Sequence, residues 1–189
     1  HWEDVMMATQ GRRATRKAKR NALRRLIVDR ILERVEADAA NLSVGLVDAE
    51  GNYLGPVTLY AVIDCRSRAI LGVKVQIGRG ENTASVIDSF KHAISPKGPD
   101  SFSAEAVNDW PMYGVGERWV TDGGAPYLSH KFQAFALNMT GQTNIVETAS
   151  GWKKPFIESF FSRMRRQFAS TLPGYMGKYM GENTSDLTM

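Results

Sequence analysis

Three carboxylates stand out by their placement. Asp38 lies between Ala37 and Ala39 in a segment that reads as a strand, where an acid is unwelcome unless it has work or a partner. Asp122 closes a short strand expected over 118–121 and is followed by Gly123-Gly124, which let the backbone turn sharply and leave the carboxylate open to a ligand. Glu158 opens the last expected helix. At 100° per residue it points with Ser162 and Arg165, with Arg166 close by, while Ile157, Phe161, Met164 and Phe168 form an adjoining core face. Three acids on separate elements of one sheet suit two magnesium ions, which prefer oxygen ligands and leave room for a substrate phosphate. Two such ions clamp the attacking and leaving oxygens of a displacement at phosphorus, and the arginines beside Glu158 would lie along a phosphodiester backbone. Each acid alone has a plainer explanation: a salt-bridge partner for Asp38, a turn for Asp122, a helix N-terminal acid for Glu158.

The elements that must position these acids follow from apolar spacing. Residues 18–35 carry Leu23, Leu26, Ile27, Ile31, Leu32 and Val35 at intervals of three and four, predicting a helix with Arg20, Arg24, Arg25 and Arg34 on its far side. Residues 34–40 and 43–47 read as extended, up to a turn at Glu50-Gly51-Asn52, and 57–64 is apolar enough for a central strand. In 69–77, Leu71, Val73, Val75 and Ile77 alternate with Gly72, Lys74 and Gln76, so one face is predicted wet. A helix from Asn82 with Val86, Ile87, Phe90 and Ile94 buried comes next, then a long loop over 95–117 anchored by Trp110 and Tyr113. A helix over 129–139 capped by Ser129, a short strand over 144–147 and a helix over 156–170 complete the chain. The order β-β-β-α-β-α-β-α describes a mixed sheet with helices on its faces.

Composition narrows the classes. The 189 residues are 43% hydrophobic and 23% charged, an ordinary globular balance large enough for a sizeable core. The single cysteine, Cys65, excludes an internal disulfide framework and a cysteine-based zinc site, and reads as a buried small hydrophobe. No apolar stretch is long enough to span a bilayer, and a start at His1 without a signal peptide suggests an excised fragment. The first 34 residues hold ten Lys/Arg against four acids, and Lys153, Lys154, Arg163, Arg165, Arg166 and Lys178 form a second basic group. Basic segments flanking a near-neutral body suggest a polyanion partner, or else solvated helix faces.

Four segments together resemble a known family: Val35-Glu36-Ala37-Asp38, the run from Ala61 through Asp64 and Cys65 to Gly72, Val120-Thr121-Asp122-Gly123-Gly124, and Lys154-Pro155-Phe156-Ile157-Glu158-Ser159-Phe160-Phe161. They look like the catalytic core of the retroviral-integrase superfamily of transposases, whose signature is two aspartates and a glutamate. Thirty-five residues separate Asp122 from Glu158, as in that family's best-known members. Asp48 and Gly51, Ala93-Ile94-Ser95-Pro96-Lys97, Trp110-Pro111-Met112-Tyr113-Gly114 and Leu172-Pro173-Gly174 resemble bacterial transposases that act beside an ATPase target-selection partner. The resemblance implies an RNase H-like fold, here a mixed five-stranded sheet flanked by helices. A basic arm and linker helix would occupy 1–33, the catalytic core 34–175 and a truncated tail 176–189. It implies Asp38, Asp122 and Glu158 as catalytic and metal-binding residues, with Asp38 bridging two Mg2+ ions for which Mn2+ substitutes. DNA 3′-end cleavage at transposon ends and strand transfer into target would follow, by a homo-oligomer on double-stranded DNA in the bacterial cytoplasm. Arg20, Arg24, Arg25, Lys153, Lys154, Arg165 and Arg166 are the expected DNA contacts. The chain departs from the family pattern at Gly123, where asparagine is usual, and at Ser159, where arginine is frequent.

Asp64 rivals Asp38 as the first acid, since it too ends an apolar strand, although an ion pair with Arg66 or Arg68 explains it more simply. His92 and His130 lack a second histidine at metal spacing and read as surface residues. Gly78-Arg79-Gly80 lacks the lysine and serine of a phosphate-cradling loop. Two other functions fit the sequence: a nuclease on the same fold, which cuts without joining, and a non-catalytic DNA-binding or assembly module.

Overall fold

In the computed structural model, the described residues are Gly11 and 27–98, 108–140, 144–145 and 154–177. Four strands form the body of a mixed sheet: β1 (Arg34–Val47), β2 (Tyr53–Asp64), β3 (Ile70–Ile77) and β4 (Arg118–Thr121). A two-residue segment, β5 (Asn144–Ile145), pairs with β4 at the margin. The order across the sheet is β3-β2-β1-β4-β5, antiparallel on the β3-β2-β1 side and parallel from β1 through β4 to β5. Helices α1 (Thr83–Ile94), α2 (Ala125–Leu128), α3 (His130–Thr140) and α4 (Pro155–Gln167) complete the fold, with a 3-10 turn at Ala169–Thr171.

Alternation along β1 sorts its side chains onto two apolar layers. Val35 and Ala37 enter one layer with Tyr60, Val62, Phe90, Trp119 and Phe132. Ala40, Leu42 and Val44 enter the other with Leu59, Ala61, Ile63, Ile157 and Phe161 of α4. In the first layer Phe90 stacks on Trp119 at 4.6 Å and meets Phe132 edge-on at 5.2 Å, contacts worth about 0.5–1.5 kcal/mol each beyond area burial. α1 starts where Asn82 accepts the Ser85 N–H at 2.7 Å. It lies so close to β3 that a Cβ on Gly72 would sit 2.5 Å from the Ala93 nitrogen and 2.6 Å from the Ser89 carbonyl oxygen, so only glycine fits there.

Several expectations need correction. The helix expected over 18–35 does not extend through its described end: residues 27–33 are irregular, Ile27 and Ile31 are 76% and 65% exposed, and Val35 belongs to β1. Leu32 takes a left-handed φ of 64° there, with its N–H donated to Asp64. Residues 12–26 of that expected helix, with Arg20, Arg24 and Arg25, lie outside the described residues. β1 is one strand through 41–42, carrying a register shift between Asn41 and Gly45. On β3, a shift between Val62 and Ile63 of β2 breaks the simple alternation, so Leu71 joins the first layer and Val73 packs on the second. Val75 and Ile77 are exposed, because they lie on the face of β3 away from α1, which meets Gly72 and Lys74 on the other face. Phe168, expected in the core, follows α4 and is exposed.

The loop expected to hang on Trp110 does so, its indole N–H donated to the Ile70 carbonyl at 2.7 Å, whereas Tyr113 is exposed. Lys97 secures the same loop: its ammonium reaches the carbonyls of Leu71, His92, Ser95 and Met112. His92 is half-buried rather than on the surface, with Nδ1 within 3.1 Å of the Val73 backbone and its ring edge-on to Trp110. His130 is exposed and Cys65 buried, as expected. No helix among the described residues is long and apolar enough to cross a membrane.

Candidate active site

Parallel pairing brings the first two acids together. Glu36 of β1 pairs with Val120 of β4, so two residues further along each strand, on the same face, come Asp38 and Asp122. Asp122 lies just past the end of β4, where the carboxyl ends of parallel strands open a crevice. Its Oδ1 accepts the Gly124 N–H at 3.1 Å. A Cβ on Gly124 would stand 3.0 Å from that oxygen, so the second glycine admits the carboxylate by its lack of a side chain and not by an unusual φ.

Between the two aspartates sits one ammonium. Lys154 Nζ is 2.9 Å from Asp38 Oδ2 and 3.8 Å from Asp122 Oδ2, and its side chain is only 4% exposed. Burial pushes the Asp38 carboxyl above its ordinary value; the Lys154 charge and hydrogen bond pull it back and Asp122 pushes it up again. The expected DNA contact at Lys154 is therefore not an exposed group in this state. Lys153 falls outside the described residues.

Glu158 lies in the first turn of α4 and is largely exposed. Burial raises its carboxyl first, the Asp38 charge raises it further, and Lys154 lowers it. A carboxylate so raised favours the folded state at pH below its unfolded value, and that contribution is lost as pH climbs through the folded value. Glu158→Gln in the metal-free chain is therefore expected to melt higher than its parent at pH 8, the gap closing toward pH 4. Thermal melts across that range check this, and an unchanged or lower Tm at pH 8 would count against the acidic cluster. Arg165 donates to the Asn41 carbonyl at 3.1 Å and Arg166 to the Ser162 carbonyl at 3.3 Å, both on the exposed side of α4.

Two residues escape the sequence reading, and a third takes a different role. Glu36, fully buried, accepts the N–H groups of Phe156 and Ile157 at 2.9 and 3.0 Å with one carboxylate oxygen, while Arg34 lies 3.4 Å from the other. It thereby caps α4 from another element, since Lys154 at the cap position makes no side-chain cap bond. The strand bearing Asp38 and the helix bearing Glu158 are thus joined by a carboxylate two residues from Asp38. Glu81, just before α1, has its carboxyl raised by burial and then by the charges of Asp122 and Asp38, so it feels the field of that pair. The third is Lys154. Alternation alone places Glu36 on the face of Asp38, a usable signal; nothing in the local sequence announces Glu81.

Asp64 has partners of its own, and they differ from the expected arginines. It is fully buried, with Oδ1 accepting the Leu32 N–H at 2.8 Å and Oδ2 the Ser67 N–H at 2.6 Å and hydroxyl at 2.5 Å. Arg68 instead donates to the Cys65 carbonyl and lies over the Phe156 ring.

Asp38 and Asp122 supply oxygen donors only and already hold a cation between them, which is the donor chemistry that magnesium takes. Among the described residues, no three His, Cys, Asp or Glu side chains stand together as a group ready to hold a metal. The class so defined is an α/β domain with a mixed sheet that gathers carboxylates at the end of its parallel strands. The chain belongs to the TnsB C-terminal domain family, which matches residues 36–174. It is 27% identical over 154 residues to the transposase for transposon Tn552 of Staphylococcus aureus, a match covering 80% of this chain and 29% of that protein. The chain thus spans less than a third of that relative's length. Solved structures similar to it include the HTLV-2 integrase catalytic core domain in complex with magnesium, at TM-score 0.45 and 17% identity, covering 71% of this chain and 68% of that one. The catalytic core domain of BIV integrase gives TM-score 0.42 at 9% identity, covering 73% and 70%. The family and the Tn552 relative agree with the transposase resemblance carried by the motifs.

Proposed function

We propose that this chain is the catalytic domain of a DNA transposase, cleaving 3′ ends at transposon termini and joining them to target DNA. The observation that carries the reading is the pair Asp38 and Asp122, brought side by side by parallel strands and sharing one buried cation. Asp38, Asp122 and Glu158 would hold the magnesium ions. When bound, magnesium would stabilise charge on the phosphodiester and activate the attacking oxygen, first of water and then of the freed 3′-hydroxyl. The chain's own share is positioning. β1 and β4 fix the two aspartates, Glu36 fixes the start of the helix that presents Glu158, and Arg165 and Arg166 on that helix would meet the phosphate backbone. The same reading includes double-stranded DNA as substrate, a homo-oligomer assembled on it, an ATPase target-selection partner and the bacterial cytoplasm as its place of action.

The test is strand transfer by the full-length protein, with pre-cleaved transposon ends, target DNA and Mg2+ or Mn2+. Joined product supports the transposase, and cutting without joining shows a nuclease. A second reading, a non-catalytic DNA-binding module, is favoured by the lack of a three-acid group ready for metal among the described residues. It predicts salt-sensitive DNA binding with neither cutting nor joining.

A further inference from the structure

Lysine is an unfavourable residue at the head of a helix, where the backbone dipole repels positive charge. Lys154 nevertheless occupies the cap position of α4, makes no cap bond of its own, and buries its side chain against two carboxylates. The N–H groups that a capping side chain would satisfy are taken by Glu36 from β1. Helix capping therefore does not explain Lys154, whereas two facing acids in a poorly solvated crevice do: each needs a counter-charge, and the ammonium serves both.

We propose that Lys154 is the resident counter-ion of the metal-free site, holding Asp38 and Asp122 together until a divalent cation displaces its ammonium. This rests on the metal site proposed above. A divalent ion takes the same carboxylate oxygens at about 2.0–2.6 Å, and two cations cannot share that space without strong repulsion. Metal entry and the Lys154–Asp38 ion pair are therefore mutually exclusive. Without metal the acids are kept from repelling each other, so the crevice is assembled before its cofactor arrives. Lys154 in turn sets the metal concentration at which the site fills.

The experiment is a Mn2+ titration by calorimetry on the full 189-residue chain, its Lys154→Met variant and, as a control for lost charge, Lys131→Met on the exposed side of α3. Lys154→Met is expected to bind Mn2+ about tenfold more tightly than its parent, by the scale on which a neighbouring charge shifts a carboxylate's proton affinity. It should also melt lower in EDTA and gain more in Tm on adding Mn2+, with Lys131→Met unchanged in all three. Equal or weaker Mn2+ binding by a folded Lys154→Met overturns the counter-ion role while leaving the metal site standing. No Mn2+ binding by any of the three overturns the metal site itself, and the counter-ion role with it. Should Lys154→Met not fold, crystals of the unaltered chain soaked in Mn2+ decide. An anomalous peak at Asp38 with Nζ withdrawn from hydrogen-bond distance is the expected result, and the same peak with the ion pair intact overturns it.

Discussion

Asp122→Asn is expected to abolish both end cleavage and strand transfer, by ~10³-fold or more, while leaving DNA affinity nearly unchanged. The substitution is close to isosteric. An asparagine oxygen still accepts the Gly124 N–H that orients the side chain past β4, and Lys154 keeps its shorter contact to Asp38. What is lost is one of two charged oxygen donors at the mouth of the parallel strands, and with it, in the proposed reading, the means to hold a hard cation beside Asp38. In the proposed reading, DNA affinity would rest on basic groups elsewhere, such as Arg165 and Arg166, exposed on the outer side of α4. Joined product from pre-cleaved ends, and DNA binding in the same buffer, measure the two quantities separately. Strand transfer persisting in the variant would sink the assignment of Asp122, whatever happens to cleavage.

The second large effect is on stability. Glu36→Ala should cost about 3–5 kcal/mol, the range for removing one member of a buried charged network, and lower Tm by roughly 10 °C or more. The truncation leaves two N–H groups at the start of α4 without their acceptor and deprives Arg34 of a carboxylate 3.4 Å away, at a position with no access to water. Glu36→Gln restores an acceptor for both N–H groups and should recover most of the loss. Because burial raises the Glu36 carboxyl, ionisation at this position is itself costly, which makes the neutral amide a mild change. Thermal melts of the three proteins test this. An alanine variant as stable as its parent would show that α4 is anchored by its apolar face alone.

Much of the candidate site is legible in the sequence because its parts are local. Asp38 interrupts an apolar alternation, Asp122 precedes two glycines, and Glu158 falls in the first turn of a helix whose buried face is plain from Ile157 and Phe161. Strand pairing then does the rest, since alternation and parallel register together set Asp38 beside Asp122. The missing parts are contacts between distant segments. Glu36 meets α4 120 positions away and Lys154 closes onto strands from two other parts of the chain, and no period or local motif encodes such pairings. Where the fold departs from expectation, tertiary pairing overrode local spacing. Leu32 and Val35 sit at helical intervals, yet Val35 pairs with Asp64 of β2 and Trp119 of β4. Likewise Val75 and Ile77 alternate as a buried face should, but they lie on the face of β3 away from α1, where α4 packs on β1 and β2 instead.

The spacing of Glu36 and Asp38 on one strand also bears on how the chain avoids misfolding. Both side chains point to the α4 side of the sheet, with Val35 and Ala37 pointing to the Phe90–Trp119 side. A slip of β1 by one residue against β2 would exchange the two sets and drive a pair of carboxylates into a largely aromatic and aliphatic layer. An all-apolar β1 would tolerate that slip with little penalty, since both layers accept aliphatic side chains. The acids thus act as an index mark on the strand: the residues proposed for chemistry also make the wrong alignment far less stable than the right one.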